Sequence, residues 1–194
     1  SDGGRFPRVR ALRGDTMIRE LSVPELIEAL HRLDSLLDVH IEVRAVDGFA
    51  LAWRHVREHG LTADIDTITD DYPKSVMRAI ERVGEQLGLG RWWLNNDAAA
   101  DDAEFLIESM DLRWELVDCG FERIDLYICE LESLLRLKLA ALEDSQLSGR
   151  VHDLDDAVAT LVKMGVTKDR FRNEYSYLQY DQPYAYGMIL KAVW

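Results

Sequence analysis

Cysteine is scarce in this chain: Cys119 and Cys129 are the two among 194 residues. Two cannot define a disulfide framework, and their strand-like neighbours point to reduced, structural thiols. Long apolar runs are missing too. No stretch approaches the ~18 consecutive apolar residues of a membrane-spanning helix, so no membrane association is expected. Basic residues are outnumbered, 23 Lys and Arg against 36 Asp and Glu, which leaves a formal net charge of -13. Such a surface repels polyanions at long range, which argues against non-specific DNA binding but leaves room for a local basic pocket. Ser1 to Thr16 holds Arg and Gly but no apolar segment, so it does not read as a secretory signal. Met17 is the expected natural start, with residues 1–16 a tag or disordered extension. Internal repeats and low-complexity tracts are absent. The expected compartment is a reducing, cytoplasmic one.

What is present is an ordinary globular balance of 47% apolar and 30% charged residues, in a chain long enough to bury a core without covalent staples. Ser22-Val23-Pro24-Glu25 reads as a helix start with a capping box, followed by Leu26, Ile27, Leu30, Leu33, Leu36 and Leu37 at helical spacing. His40 to Val46 alternates and is β-branched, so it predicts a strand that Asp47-Gly48 breaks. Phe49 to Glu58 predicts a helix closed by His59-Gly60. Ala63 to Thr69 alternates again. Pro73 opens a helix to about Leu87, stopped by Gly88 and Gly90. Trp92 to Asp97 reads as a loop or helix entry, and Ala98 to Ala103 as a surface loop. Arg113 to Asp118 and Glu122 to Cys129 flank Cys119-Gly120-Phe121 as a hairpin. Helices are expected over Glu132–Leu142 and Val151–Met164, the latter ended by Gly165. Arg170 to Trp194 is aromatic-rich and carries no clear period. Its tyrosines, Tyr175, Tyr177, Tyr180, Tyr184 and Tyr186, suit a docking strand or a partner surface. The order of elements predicts an α+β fold, a small mixed sheet with helices against it.

The sharpest chemical feature is Asp64-Ile65-Asp66. On a strand, residues two apart share a face, so two carboxylates stand side by side and repel. A divalent cation resolves that conflict, because Mg²⁺ takes hard oxygen ligands and completes its shell with water and substrate phosphates. The same motif is also common as a solvated acidic edge in chains this acidic. Upstream, Val46-Asp47-Gly48-Phe49 is a strand, a glycine turn and a helix start. A glycine there lets backbone N–H groups approach a phosphate, or simply makes a plain turn. His31, His40, His55, His59 and His152 show no zinc-site spacing. Trp92 and Trp93 suit core packing or base stacking.

A glycine turn, a helix and a D-x-D strand in this order resemble the DNA polymerase β-type nucleotidyltransferase superfamily. Val46 to Ala52 followed by Thr62-Ala63-Asp64-Ile65-Asp66 is similar to the "GG-x-A-L … T-x-D-I-D" pattern of a bacterial nucleotidyltransferase family related to abortive-infection toxins. Trp93 to Asp97 resembles that family's "W-L-N-D", Leu134 to Ala140 its "L-L-x-M-K-L-x-A", and Arg150 to Asp156 its "R-x-x-D-x-x-D". Asp47 stands where the pattern has its first glycine, and Phe49 where many members carry a small hydroxyl residue.

The resemblance implies a nucleotidyltransferase core over 17–130 with a helical part over 131–194 packed on it. It implies transfer of NMP from an NTP to a hydroxyl acceptor on RNA, protein or a small molecule, with Mg²⁺ or Mn²⁺ as cofactor. The alternative is an inactive module of the same fold, binding a nucleotide or a small protein partner of a toxin–antitoxin pair. Gly48 would face the phosphates, and Asp64 and Asp66 would hold metal. Asp125, with Glu115 second, would be the third carboxylate or a plain exposed strand residue. Lys138 would neutralise triphosphate charge, or snorkel from a Leu-rich helix. Asp153 and Asp156 would orient Lys138 or the ligand, or cap their helix.

Overall fold

The computed structural model describes residues 20–57, 60–99, 102–147 and 152–194. The expected extension at 1–16, the start at Met17, the stop at His59 and the first residues of the Arg150–Asp156 stretch lie outside these.

Strand β1 (Leu21–Ser22) leads into helix α1 (Val23–Asp34). The capping box forms as the sequence predicts: Ser22 N donates to Glu25 Oε2 at 2.9 Å, and Glu25 N donates to Ser22 Oγ at 3.4 Å. Strand β2 (Ile41–Val46) runs into helix α2 (Asp47–Trp53). That helix is shorter than predicted. His55 takes a positive φ of 55°, and Val56 N returns to Leu51 O at 2.9 Å, closing the helix a turn early. Arg54 stabilises this end from across the sheet. Its Nε and Nη2 donate to the carbonyls of Cys129 and Ile128, and its Nη1 meets Glu115.

The predicted strand over 63–69 is shorter, β4 (Ile65–Thr67), and an unpredicted strand β3 (Leu61–Thr62) precedes it. β3 leaves the main sheet to pair antiparallel with β1. Helix α3 (Lys74–Leu87) follows and ends on Gly88 at φ 65°, as its glycine signal predicts. Two elements were not legible. Trp92 to Asp97 contains a two-residue strand, β5 (Leu94–Asn95), and the supposed surface loop ends at helix α4 (Ala103–Ser109), capped by Asp102. Ala99 and Ala103 are buried. The predicted hairpin is β6 (Trp114–Val117) with β7 (Ile124–Cys129), paired antiparallel.

The main sheet has the order β5-β4-β2-β7-β6. β2 is antiparallel to β4 and parallel to β7, and β4 is parallel to β5. This is a mixed sheet in an α+β fold. One face carries Ile41, Val43, Ala45, Ile65, Thr67, Ile124, Leu126 and Ile128, all buried. They share a core with Leu26, Leu30 and Leu33 of α1, Phe49 and Leu51 of α2, and Val76, Ile80 and Val83 of α3. Glu42, Arg44, Asp66, Asp125, Tyr127 and Leu116 alternate onto the opposite face, and none is fully buried. Alternation thus places Asp66 on this second face, at the level of the buried Val46 and Cys129.

Helix α5 (Leu131–Asp144) joins two cores. Its Leu134 belongs to the sheet core, while Leu135, Leu139 and Leu142 belong to a second one. Helices α6 (His152–Lys163), α7 (Lys168–Glu174), α8 (Leu178–Asp181) and α9 (Pro183–Val193) complete that second core. Much of the tyrosine-rich tail is packing material. Tyr175 and Tyr186 are buried and stack on Phe171 at 5.3 Å, while Tyr177 and Tyr180 remain exposed. Among the described residues no helix is long and apolar enough to cross a membrane.

Candidate functional site

The turn between β2 and α2 organises the site. Asp47 has φ 52°, the left-handed region that favours glycine and that Asp tolerates better than most residues. Gly48 follows in crowded space. A side-chain carbon there would come within 2.4 Å of Thr62 Oγ1 and 3.0 Å of Arg57 Nη1. Glycine is therefore required at 48 by the close approach of Thr62, not by an unusual φ. The helix that follows spans seven residues, too short to serve as a phosphate cradle on its own.

Asp66 pairs in register with Val46, next to this turn. Asp64 sits in the bend just before β4, and its carbonyl accepts from Thr62 Oγ1 at 3.2 Å. Burial raises the Asp66 pKa to about 7, and the charges of Asp64, Asp47 and Asp97 push it the same way. A hydrogen bond from the Asn95 side chain opposes them. The D-x-D carboxylates and the turn are thus within electrostatic reach of one another, as the sequence predicts.

Lys138 enters from α5 and is buried. Its ammonium binds Asp47, Asp156 at 3.1 Å and Asp153 at 3.2 Å. Burial works against its charge, but Asp47, Asp156 and Asp153 outweigh it and hold the pKa above its ordinary value. Of the two roles weighed for Lys138, the snorkelling one does not fit: the ammonium points inward, to the turn. Asp153 and Asp156 orient it, the first of their predicted roles. Arg57, which sequence reasoning missed, forks onto Asp156 through Nε and Nη2 at 3.3 and 3.0 Å.

Asp125 does not join this group. It pairs in register with Glu42, four residues before Val46, which is roughly 13 Å along the strand. There it meets His40 Nε2 at 2.9 Å. Glu115 is also elsewhere, held by Arg54 at 2.6 Å. One step past the last β2–β7 pair, the residue of β7 level with Val46 is Cys129. It is fully buried, and burial pushes its thiol up to about 12. The thiol stays protonated, so Cys129 brings no negative charge to this level of the sheet.

Asp64 and Asp66 suit a divalent cation. They are hard oxygen donors, and the charges of Asp64 and Asp47 add to burial in raising the Asp66 pKa, a repulsion that a cation would relieve. Among the described residues no group of three His, Cys, Asp or Glu side chains is arranged around one metal point. Mg²⁺ is commonly held by one or two carboxylates, with phosphates and water supplying the rest. A cavity of about 450 Å³ lined by Glu81, Gly84, Glu85, Gly88, Gly90 and Arg91 lies at the end of α3 and includes none of these residues.

Arg57 had no sequence signal, because it follows a helix that ends earlier than its periodicity suggests. Asn95 and Asp97 lay within the Trp93–Asp97 stretch, but nothing local assigned them to Asp66. No protein-family model, curated protein or solved structure matches the chain.

Proposed function

We propose that this protein is a metal-dependent nucleotidyltransferase, transferring NMP from an NTP to a hydroxyl on RNA, protein or a small molecule. The observation that carries the reading is the meeting of Asp64 and Asp66 with the Asp47-Gly48 turn and the buried Lys138. A metal on Asp64 and Asp66, beside the cations Lys138 and Arg57 that Asp47, Asp153 and Asp156 hold in place, would suit a polyphosphate better than either charge alone. Asp64 and Asp66 would hold Mg²⁺ or Mn²⁺, which supplies charge neutralisation at the reacting phosphate. Gly48 lets Thr62 and Arg57 pack directly on the turn, which would bring the Arg57 guanidinium beside the phosphate chain. Lys138 offers a point charge to the phosphate oxygens, and Asp153 and Asp156 keep it aimed. In the transfer the acceptor oxygen bonds to the α-phosphorus, the bond from that phosphorus to the bridging oxygen breaks, and pyrophosphate leaves. The hydroxyl proton passes to solvent.

Binding is read by melting the protein with metal and each of the four NTPs at millimolar concentration. Mg²⁺ or Mn²⁺ with an NTP should raise the melting temperature more than either alone, since ligands of the folded state stabilise it by mass action. The shift should disappear in the Asp64→Asn/Asp66→Asn variant. An unmoved wild-type curve with every NTP would remove the nucleotide reading.

A second reading has its own support. Cys129 occupies the level of the missing third carboxylate, and Asp47 engages Lys138 where a phosphate would. On this reading the chain is an inactive module that binds a nucleotide or a small protein partner, as in a toxin–antitoxin pair. Nucleotide binding without transfer of labelled NMP to RNA or protein would favour it.

A further inference from the structure

Arg57 lies just past the end of α2, beside the carboxylate cluster, and its guanidinium is divided. Nε and Nη2 are fixed on the two oxygens of Asp156. The charges of Asp47 and Asp66 act on the guanidinium, and among the described residues Nη1 makes no hydrogen bond. It stands over the Gly48 turn, 3.0 Å from where a side-chain carbon on that glycine would sit. The side chain is 33% exposed, so the guanidinium is open in part to a ligand. Asp156 also holds Lys138 Nζ at 3.1 Å. One carboxylate, itself only 12% exposed, therefore fixes two cations side by side. Burial works against the Arg57 charge, but Asp156, with the charges of Asp47 and Asp66, more than offsets it, and Arg57 stays cationic.

A guanidinium has five donors in a rigid plane, and holding one edge on a carboxylate pre-orients the other for phosphate oxygens. The reacting α-phosphate belongs beside Asp64 and Asp66, whereas Arg57 is tethered on the α6 side of the turn. Resting on the nucleotide reading above, we propose that Arg57 is a polyphosphate-binding residue of this site. Nη1 contacts the phosphate chain beyond the α-phosphate, and Asp156 positions Arg57 and Lys138 together. The ligand class is then a nucleoside triphosphate rather than a monophosphate, and Arg57 makes the distinction.

The test measures dissociation constants for the best-binding NTP and its NDP and NMP, each with Mn²⁺, on wild type, Arg57→Gln and Arg57→Lys. A charge-assisted hydrogen bond is worth about tenfold or more in affinity. Wild type should bind the triphosphate at least about tenfold tighter than the monophosphate. Arg57→Gln should lose most of that ratio while its NMP affinity holds, and Arg57→Lys should keep part of it. Melting without ligand reports folding separately. If Arg57→Gln fails to fold, Arg57→Lys still decides, because loss of the planar fork should lower the ratio. Unchanged ratios in the folded variants overturn the role of Arg57 and leave the nucleotide site standing. A wild type that binds none of the four NTPs overturns the site itself, and this assignment with it.

Discussion

Asp66 illustrates how a site residue costs the fold stability. Its pKa of about 7 compares with 3.8 for a free side chain, chiefly because it is buried beside Asp64 and Asp47. Between about pH 4 and pH 7 the folded protein holds a proton that the unfolded chain has released. Its contribution to stability is therefore full below pH 4 and is lost as pH rises through 7. Asp66→Asn, measured in chelator, should melt higher than wild type at pH 8, by about 2 kcal/mol, and the gain should fade towards pH 4. A gain that stays constant with pH would mean that charge is not the cause. Lys138 is the opposite case. Removing it leaves Asp47, Asp153 and Asp156 facing each other without their shared cation. Lys138→Met should cost about 3 kcal/mol, the penalty of an uncompensated buried charge. Denaturant melts compare this with Lys138→Arg, which keeps the charge and should lose less.

At the scale of elements, two close approaches set where helices and strands can lie. Gly48 brings α2 against β3 through Thr62. Gly48→Ala should destabilise by about 1–3 kcal/mol, since overpacking at this distance forces backbone shifts. Adding Thr62→Ala removes the nearest atom and should restore part of the loss, so a double-mutant cycle in denaturant reads the contact directly. Gly84 is tighter in kind. A side-chain carbon there would meet the Gly90 carbonyl oxygen at 2.3 Å, and Trp93 at 3.0 Å. That carbonyl is backbone and cannot rotate away. The same loop carries Trp93, whose Nε1 donates to Ile80 O at 2.9 Å, and leads to Asn95 beside Asp66. Gly84→Ala should therefore cost about 3 kcal/mol and resist rescue by any single side-chain trimming. A melting temperature equal to wild type would refute this packing account.

Across the whole molecule, α5 ties the sheet to the C-terminal helices. Leu134 faces one core and Leu135, Leu139 and Leu142 the other. Lys138 lies on the same helix and carries the connection into the site. Cutting the chain after residue 130 would remove Leu134 from the first core, and take away both Lys138 and its partners on α6. Fragment 17–130 should accordingly lack a cooperative thermal transition by circular dichroism. A sharp transition in it would show that the sheet core folds without α5. The site would still be incomplete there, because Lys138 comes from α5 and Asp153 and Asp156 from α6.

The sequence by itself determined what depends on neighbours a few residues apart. The Ser22–Glu25 capping box, the Gly88 and Gly165 helix stops, the β6–β7 hairpin and the α+β order all arise from such spacings. Strand alternation and helical period are local geometry, and a residue type at the right spacing suffices to express them. Tertiary structure decided the rest. The two-residue strands β3 and β5 are too short to carry a period, and they exist through their partners β1 and β4. α2 ends at Trp53 because a left-handed His55 and the reach of Arg54 to β7 overrule its periodicity. Asp125 looked as suitable as any strand carboxylate, but the β2–β7 register set it beside Glu42 and put Cys129 level with Val46. A shift of a few residues in that register would exchange their places, and no local pattern fixes it. The meeting of Arg57, Lys138 and Asp156 follows from α5 and α6 packing into a second core, a sum of many apolar contacts that no single motif encodes.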